Sequence, residues 1–223
     1  IMNNTLPIAL PLTHKHRIKE VVRFSGGSQA AHNVITPDGK HHKFSQIGAG
    51  AFNGARTHLS KSMLVDPITL LDEIDKFGKD YAKDISVSGE AVIITPYHVL
   101  ANKLRESERK ANKHGTCGMG IGETRKDYLD GVCLKVKDLF GPYSSKLKEI
   151  QNKNETELCS RFHSINANHI IEFYEEFIGK IKIAELNLNQ DLVFEGAQGF
   201  LLDETYGFHP YNTWTDVSYN NAL

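Results

Sequence analysis

The residues able to do chemistry concentrate in three glycine-containing segments: Phe24-Ser-Gly-Gly-Ser-Gln-Ala-Ala-His32, His114-Gly-Thr-Cys-Gly-Met-Gly-Ile-Gly122 and Phe194-Glu-Gly-Ala-Gln-Gly-Phe-Leu-Leu-Asp203. Glycine permits tight backbone turns that aim successive N–H groups at one anion. Gln29, Thr116 and Gln198 add side-chain donors suited to a phosphate or to the edge of a base. A nucleotide fits this inventory, although any one glycine loop taken alone is more often a plain turn. Other candidates carry less. His41 and His42 invite a metal-site reading with His32, but adjacent histidines on a strand point to opposite faces, which favours a solvated pair. Cys117 sits in a glycine loop with only His114 near enough in sequence to act as its base. The charge-rich stretch from Lys103 to Lys113 mixes acids with bases and reads as a solvated helix face.

Strands and helices must position these loops. Glu20 to Phe24, with Val21 and Val22 at its centre, predicts a buried strand that stops at Ser25-Gly26-Gly27. Asp66-Pro67 opens an amphipathic helix running to Phe77, with the aspartate as its cap. Ala91 to Thr95 predicts a strand, and Tyr97 to about Ala111 a helix after Pro96. Further helices are expected over Lys146–Ile150 and over Glu157–Ile183, the second with Phe173, Phe177 and Ile181 on one stripe. Asp191 to Glu195 predicts the last strand, which runs into Gly196-Ala197-Gln198-Gly199. Strands alternating with helices, and leaving through glycine loops, predict an α/β fold with a mostly parallel central sheet flanked by helices and ligands at the strands' carboxyl ends.

Composition bounds the possible partners. With 223 residues, 40% hydrophobic and 24% charged, the chain can bury the core of one soluble domain, read as spanning 1–223. A formal net charge of -1 provides no global field for nucleic acid or an anionic membrane, so neither is expected as a partner and any anion must be held locally. Cys117, Cys133 and Cys159 are odd in number and lack zinc-site spacing, which predicts free thiols in a reducing compartment. Without a spanning apolar stretch or a signal-like opening, a cytoplasmic location is expected. Ile1 precedes Met2, which reads as a tag remnant or an excised piece, so the boundaries need not be those of the natural protein.

The order and wording of several blocks are more specific than any loop alone. Val-Val-Arg-Phe-x-Gly-Gly-x-x-Ala-x-His (21 to 32), Val-Asp-Pro-x-x-Leu-Leu-x-Glu-Ile-Asp (65 to 75), Pro-Tyr-His (96 to 98), Gly-Thr-x-Gly-x-Gly-Ile-Gly (115 to 122), Lys-Asp-Leu-Phe (137 to 140), Phe-Glu-Gly-Ala-Gln-Gly-x-Leu-Leu-Asp (194 to 203) and Pro-Tyr-x-Thr (210 to 213) follow one another. From about Lys19 to Asp216 the chain resembles the adenylosuccinate synthetases in that order. The resemblance implies a P-loop-NTPase-like fold and a carbon–nitrogen ligase of purine biosynthesis: GTP phosphorylates the 6-oxygen of inosine monophosphate, and aspartate then displaces the phosphate. It implies Mg2+ and GTP as cofactors, a purine monophosphate as substrate and a homodimer as the working state.

Carried over position by position, the resemblance makes His32 the catalytic histidine at the 6-oxygen, a task suited to imidazole, whose ordinary pKa of about 6.5 lets it exchange a proton near neutrality. It makes Gly26, Gly27, Gln29, Thr116, Cys117, Gln198 and Thr213 the substrate-binding set, and Ala31 the backbone carbonyl that reaches magnesium. The departures matter as much. Met2 to Lys19 has no glycine and no Gly-Asp-Glu-Gly-Lys-Gly-Lys motif, so the expected fold lacks the phosphate loop and its aspartate base, help typically worth about 10² to 10⁴ in rate. Gln29 stands for an asparagine, Cys117 for a threonine, and Gly131 for the arginine that reaches the neighbouring subunit's nucleotide, with Arg125 as a nearby substitute. The sequence ends at Leu223, before the family's arginine-rich aspartate-binding loop and guanine-reading segment. Three readings follow: a synthetase-like ligase, a catalytically degenerate purine-nucleotide-binding module, and a regulatory partner of a complete synthetase.

Overall fold

All four residues of β1 (Glu20–Arg23) are buried, as a strand covered on both faces must be. The computed structural model describes residues 9–112, 115–158, 162, 164–209 and 211–222; His114, Cys159 and Pro210 lie outside them. The first helix is α1 (Ala9–His16). A small antiparallel hairpin, β2 (His32–Ile35) with β3 (His41–Phe44), follows β1. After β4 (Arg56–Leu59) and β5 (Leu64–Val65) come α2 (Pro67–Phe77), β6 (Ile85–Val87), β7 (Val92–Ile93) and α3 (Pro96–Glu108). The chain continues through α4 (Ile121–Leu129), α5 (Ser144–Leu158), α6 (Ala167–Lys180), β8 (Lys182–Ile183) and β9 (Val193–Glu195).

The main sheet has five parallel strands in the order β8-β6-β4-β1-β9, flanked by helices, as expected from the alternation of elements. Val21 pairs with Thr57 on one side and Val193 on the other, and Arg23 with Leu59 and Glu195. Because β1 and β9 are parallel neighbours, their exit loops leave the same edge of the sheet, which is what brings residues 24–31 beside 196–203. Val21, Val22, Leu59 and Val87 are fully enclosed, each contributing about 1.5–3 kcal/mol by leaving water.

Local chemistry explains the helix starts. Asp66 accepts the Thr69 N–H at 3.2 Å and Pro67 occupies the first turn, so α2 begins where the sequence places it. Glu73 on the same helix accepts the N–H groups of Ser45 at 2.7 Å and Gln46 at 2.8 Å, fastening the strap between β3 and β4. At the start of α3, the His98 Nδ1 accepts the Thr95 N–H at 3.0 Å, which leaves its Nε2 to donate to Asp127 at 3.2 Å. Asp127 also takes Lys153 at 2.7 Å and Asn154 at 3.3 Å, so one buried carboxylate joins α3, α4 and α5.

Several expectations need correction. The helix expected over 157–183 is two elements: Glu157 and Leu158 close α5, and α6 starts only at Ala167. Its buried stripe is Ile170, Tyr174 and Phe177, while Phe173 is exposed, because a one-residue shift turns a helical side chain by about 100°. The strand expected over Ala91–Thr95 shrinks to Val92–Ile93 and pairs with β5 outside the main sheet. The helix expected over Tyr97–Ala111 is α3, which starts one residue earlier and ends three residues earlier. No helix among the described residues is long and apolar enough to cross a membrane.

Candidate active site

Gly26 and Gly27 are glycines for reasons of space. Gly26 has φ +75, and a Cβ there would lie 2.5 Å from the Ala197 Cβ and 3.1 Å from both the Gln198 Oε1 and the Gln29 Nε2. At Gly27 a Cβ would meet the Leu64 carbonyl oxygen at 2.6 Å. The backbone of Gly26 therefore lies directly against the Ala197 methyl of the other strand-end loop, and that contact carries Gln29 and Gln198 to one place. Both polar atoms of Gln29 and the Gln198 Oε1 are buried with no hydrogen-bond partner among the described residues. Leaving such atoms unpaired costs about 1–3 kcal/mol each, a cost that a bound polar ligand recovers.

A third wall comes from α3, the glycine loop and α4. Asn102 donates to the Thr116 Oγ1 at 3.2 Å and accepts the Gly120 N–H at 3.2 Å, so the helix holds both ends of the loop. Together these elements enclose a cavity of about 380 Å³ lined by Gln29, Thr116, Gln198, Thr213, Asn102 and Trp214. That volume lies within the roughly 300–1,000 Å³ of small-molecule sites. Arg105, Arg109 and Lys126 also line it, against the single acid Glu123, so the wall is positive overall. The stretch read as a solvated face thus turns Arg105 and Arg109 toward the cavity, in line with Asn102 just before it. Sequence reasoning missed these residues because α4, which packs against α3, carries no strong apolar stripe.

Thr213 reaches the cavity through a turn tied by Asp203. The Asp203 carboxylate accepts N–H groups from Thr205 at 2.8 Å, Tyr206 at 3.0 Å and Val217 at 2.8 Å, and the Thr213 N–H donates to the Leu202 carbonyl at 2.7 Å. Burial pushes the Asp203 pKa up, but the backbone donors outweigh it and hold the carboxyl below its ordinary value. A folded pKa below the unfolded one adds stability above the unfolded value and loses it as pH falls through the folded value. We expect Asp203→Asn to cost about 1–3 kcal/mol at neutral pH and to flatten the acid limb of the stability profile below pH of about 4. Urea unfolding across pH checks both; a variant whose acid limb matches the wild type would count against the turn's role.

Behind the loops lies a buried charged cluster. Glu195, at the end of β9, accepts the Ala49 N–H at 2.9 Å and lies 2.5 Å from the His32 Nδ1 and 3.5 Å from the Arg23 Nη1. Burial raises the Glu195 pKa, but Arg23 and then His32 more than offset it and keep the carboxyl below its usual range. An ionised Glu195 can only accept, so Nδ1 of His32 carries the proton, and the buried Nε2 has no partner among the described residues. His32 does not line the cavity; it stands three residues behind Gln29 and is linked through Glu195 to the loop bearing Gln198.

The remaining candidates separate. Cys117 is exposed and faces a neighbouring cavity with Ser28, Ala30, His41 and His42 rather than the one lined by Thr116. His41 is exposed and His42 half-buried between Phe44 and Phe77. Arg125 lies in another cavity of its own chain, donating to Glu204 at 3.3 Å and covering the Tyr128 ring. Ala31 is half-buried and offers one carbonyl. Among the described residues no three His, Cys, Asp or Glu side chains converge as metal ligands. This donor set does not by itself make a magnesium site.

A parallel sheet flanked by helices, with strand-end loops gathered around one cavity, defines an α/β protein of the kind that binds ligands at the carboxyl ends of its strands. The adenylosuccinate synthetase family model matches residues 12–223. The chain belongs to the adenylosuccinate synthetase family, a family of ligases. It is 33% identical over 209 residues to an adenylosuccinate synthetase of Picrophilus torridus, covering 87% of this chain and 49% of that protein. To that of Borrelia duttonii it is 30% identical over 212 residues, covering 88% and 49%. The chain thus spans about half the length of these relatives. In fold it is similar to a fully ligated adenylosuccinate synthetase of Plasmodium falciparum, with TM-score 0.80 at 18% identity over 96% of this chain and 53% of the other. A succinoaminodeoxyadenylate synthetase of cyanophage S-2L, bound to dGMP and dATP, gives TM-score 0.62 at 14% identity over the same shares.

Proposed function

We propose that this chain carries the purine-monophosphate site of an adenylosuccinate synthetase-like ligase, which joins aspartate to C6 of inosine monophosphate at the expense of GTP. One observation carries the reading: Gln29, Thr116, Gln198 and Thr213, far apart in sequence, line a single cavity. Gln29 and Gln198 offer unpaired amide atoms to the base edge, and Thr116 and Thr213 offer hydroxyls to an anionic end. His32, with Nδ1 held by Glu195, keeps an unpartnered Nε2 outside the cavity lining, and it reaches the exocyclic oxygen of the purine, where negative charge develops, only if the 24–32 loop shifts toward the bound ligand. GTP, Mg2+, a homodimer and a cytoplasmic setting belong to this proposal, as features of the whole synthetase. A second reading, a binding module without catalysis, is favoured by the position of His32 outside the cavity that Gln29, Thr116, Gln198 and Thr213 line.

Calorimetry with inosine monophosphate tests the site, and incubation with inosine monophosphate, GTP, Mg2+ and aspartate, followed by absorbance of the succinylated purine, separates the readings. Binding is expected from the chain; binding without product selects the module. His32→Asn should change binding by less than about threefold, since it removes no cavity-lining group, and lower any turnover by about 10² or more. Equal turnover in both proteins would remove His32 from the chemistry, and failure to bind any purine monophosphate would end the proposal.

A further inference from the structure

We propose that Glu106 is an internal stand-in for a phosphate monoester, occupying an anion site made by the Gly115 and Thr116 amides and the Arg109 guanidinium until a ligand phosphate displaces it. The Glu106 carboxylate accepts the Gly115 N–H at 2.7 Å through one oxygen and the Arg109 Nη1 at 2.9 Å through the other. Burial pushes the Glu106 pKa up, but Arg109 and the Gly115 and Thr116 amides outweigh it and hold the carboxyl below its ordinary value. Two successive loop amides plus a guanidinium on one oxyanion is the donor set of a phosphate site, and a carboxylate fills it with the same charge sign and similar oxygen geometry.

The other cations of the cavity wall are committed elsewhere. Arg105 bonds Glu123 at 3.0 Å and also Glu157, and Lys126 bonds Glu157 at 2.6 Å. Among the described residues Arg109 pairs with Glu106 alone, and this partner does not line the cavity while Arg109 and Thr116 do. Arg109 and Glu106 lie at the cap of α3 and in its last turn, seven and four residues beyond Asn102, which grips the same loop through Thr116. A phosphate entering beside Thr116 gains Arg109 and the amides only if Glu106 swings out. Site occupancy is therefore a competition between two anions. Arg109 then supplies, from within the chain, a cation for the ligand's phosphate.

This inference rests on the cavity being the nucleotide site proposed above, and the experiment separates the two. Inosine monophosphate, inosine and inorganic phosphate are titrated by calorimetry into the wild-type chain, Arg109→Ala, Arg109→Lys and Glu106→Gln. Arg109→Ala should weaken inosine monophosphate and phosphate at least about tenfold while leaving inosine unchanged, because one charge-assisted contact is lost. Arg109→Lys should recover part of that loss. Glu106→Gln keeps the side chain's shape, removes the competing charge, and should tighten both phosphate ligands several-fold. Unchanged affinity for inosine monophosphate in Arg109→Ala and Glu106→Gln would overturn the inference and leave the nucleotide site standing. Phosphate responding as stated, with inosine monophosphate binding no tighter than phosphate, would support the anion site and sink the purine reading.

Discussion

Replacing Glu195 with alanine is expected to destabilise the fold by about 3–5 kcal/mol, a large share of the roughly 5–15 kcal/mol that holds a domain together. The reason is Arg23, which is wholly enclosed. Among the described residues its guanidinium has two acceptors, the Ile47 carbonyl at 3.3 Å and Glu195 at 3.5 Å, and its Nε and Nη2 already lack partners. Removing the carboxylate leaves a buried cation with no counter-charge and also frees the Ala49 N–H and the His32 ring. Urea unfolding followed by circular dichroism measures the loss. A change below about 1 kcal/mol would mean that water reaches Arg23 and that the cluster is not a structural anchor. Because the Glu195 carboxyl is held below its ordinary pKa, the wild-type stabilisation is complete above the unfolded value and fades as pH drops through the folded one.

Gly26→Ala is expected to lower affinity for inosine monophosphate at least about tenfold, with a stability cost of about 1–3 kcal/mol. Two effects combine: the positive φ strains any L side chain, and the new methyl would sit 2.5 Å from the Ala197 Cβ. The loops must then part, carrying Gln29 and Gln198 away from each other. Gly54→Ala separates the effects, since Gly54 also has positive φ (+71) but nothing within 4 Å of its Cβ position. It should show the backbone strain alone and leave binding intact. If Gly26→Ala binds like the wild type, the close approach of the two loops does not shape the site.

The parts of this fold that are legible in the sequence are those where one residue type has one strong local meaning. Asp66-Pro67 announces a helix start, and Val21-Val22 before Ser25-Gly26-Gly27 announces a buried strand and its exit, because capping and turn chemistry act within a few residues. The strands β4 and β6 carry no such signal: Thr57, His58 and Ser86 interrupt the apolar pattern, and their burial depends on neighbours far away, with His58 bonding Ser86 at 2.8 Å across the sheet. The site divides in the same way. Gln29, Thr116, Gln198 and Thr213 stand out from ordered motifs, whereas Asn102, Arg105 and Arg109 look like any polar helix face until α4 is in place beside them. Glu195 sits inside one of those motifs with no local sign of its role, since its partners Arg23 and His32 lie more than 160 positions away.

Trp214 is the chain's single tryptophan. It lines the same cavity, 60% exposed, with its indole 3.5 Å from where a Cβ on Gly122 would stand. The indole is polarity-sensitive and has no second emitter of its kind to mask it. Filling the cavity excludes solvent from that ring, so ligand entry is converted into a change of intrinsic fluorescence, and the molecule reports on its own occupancy without a label.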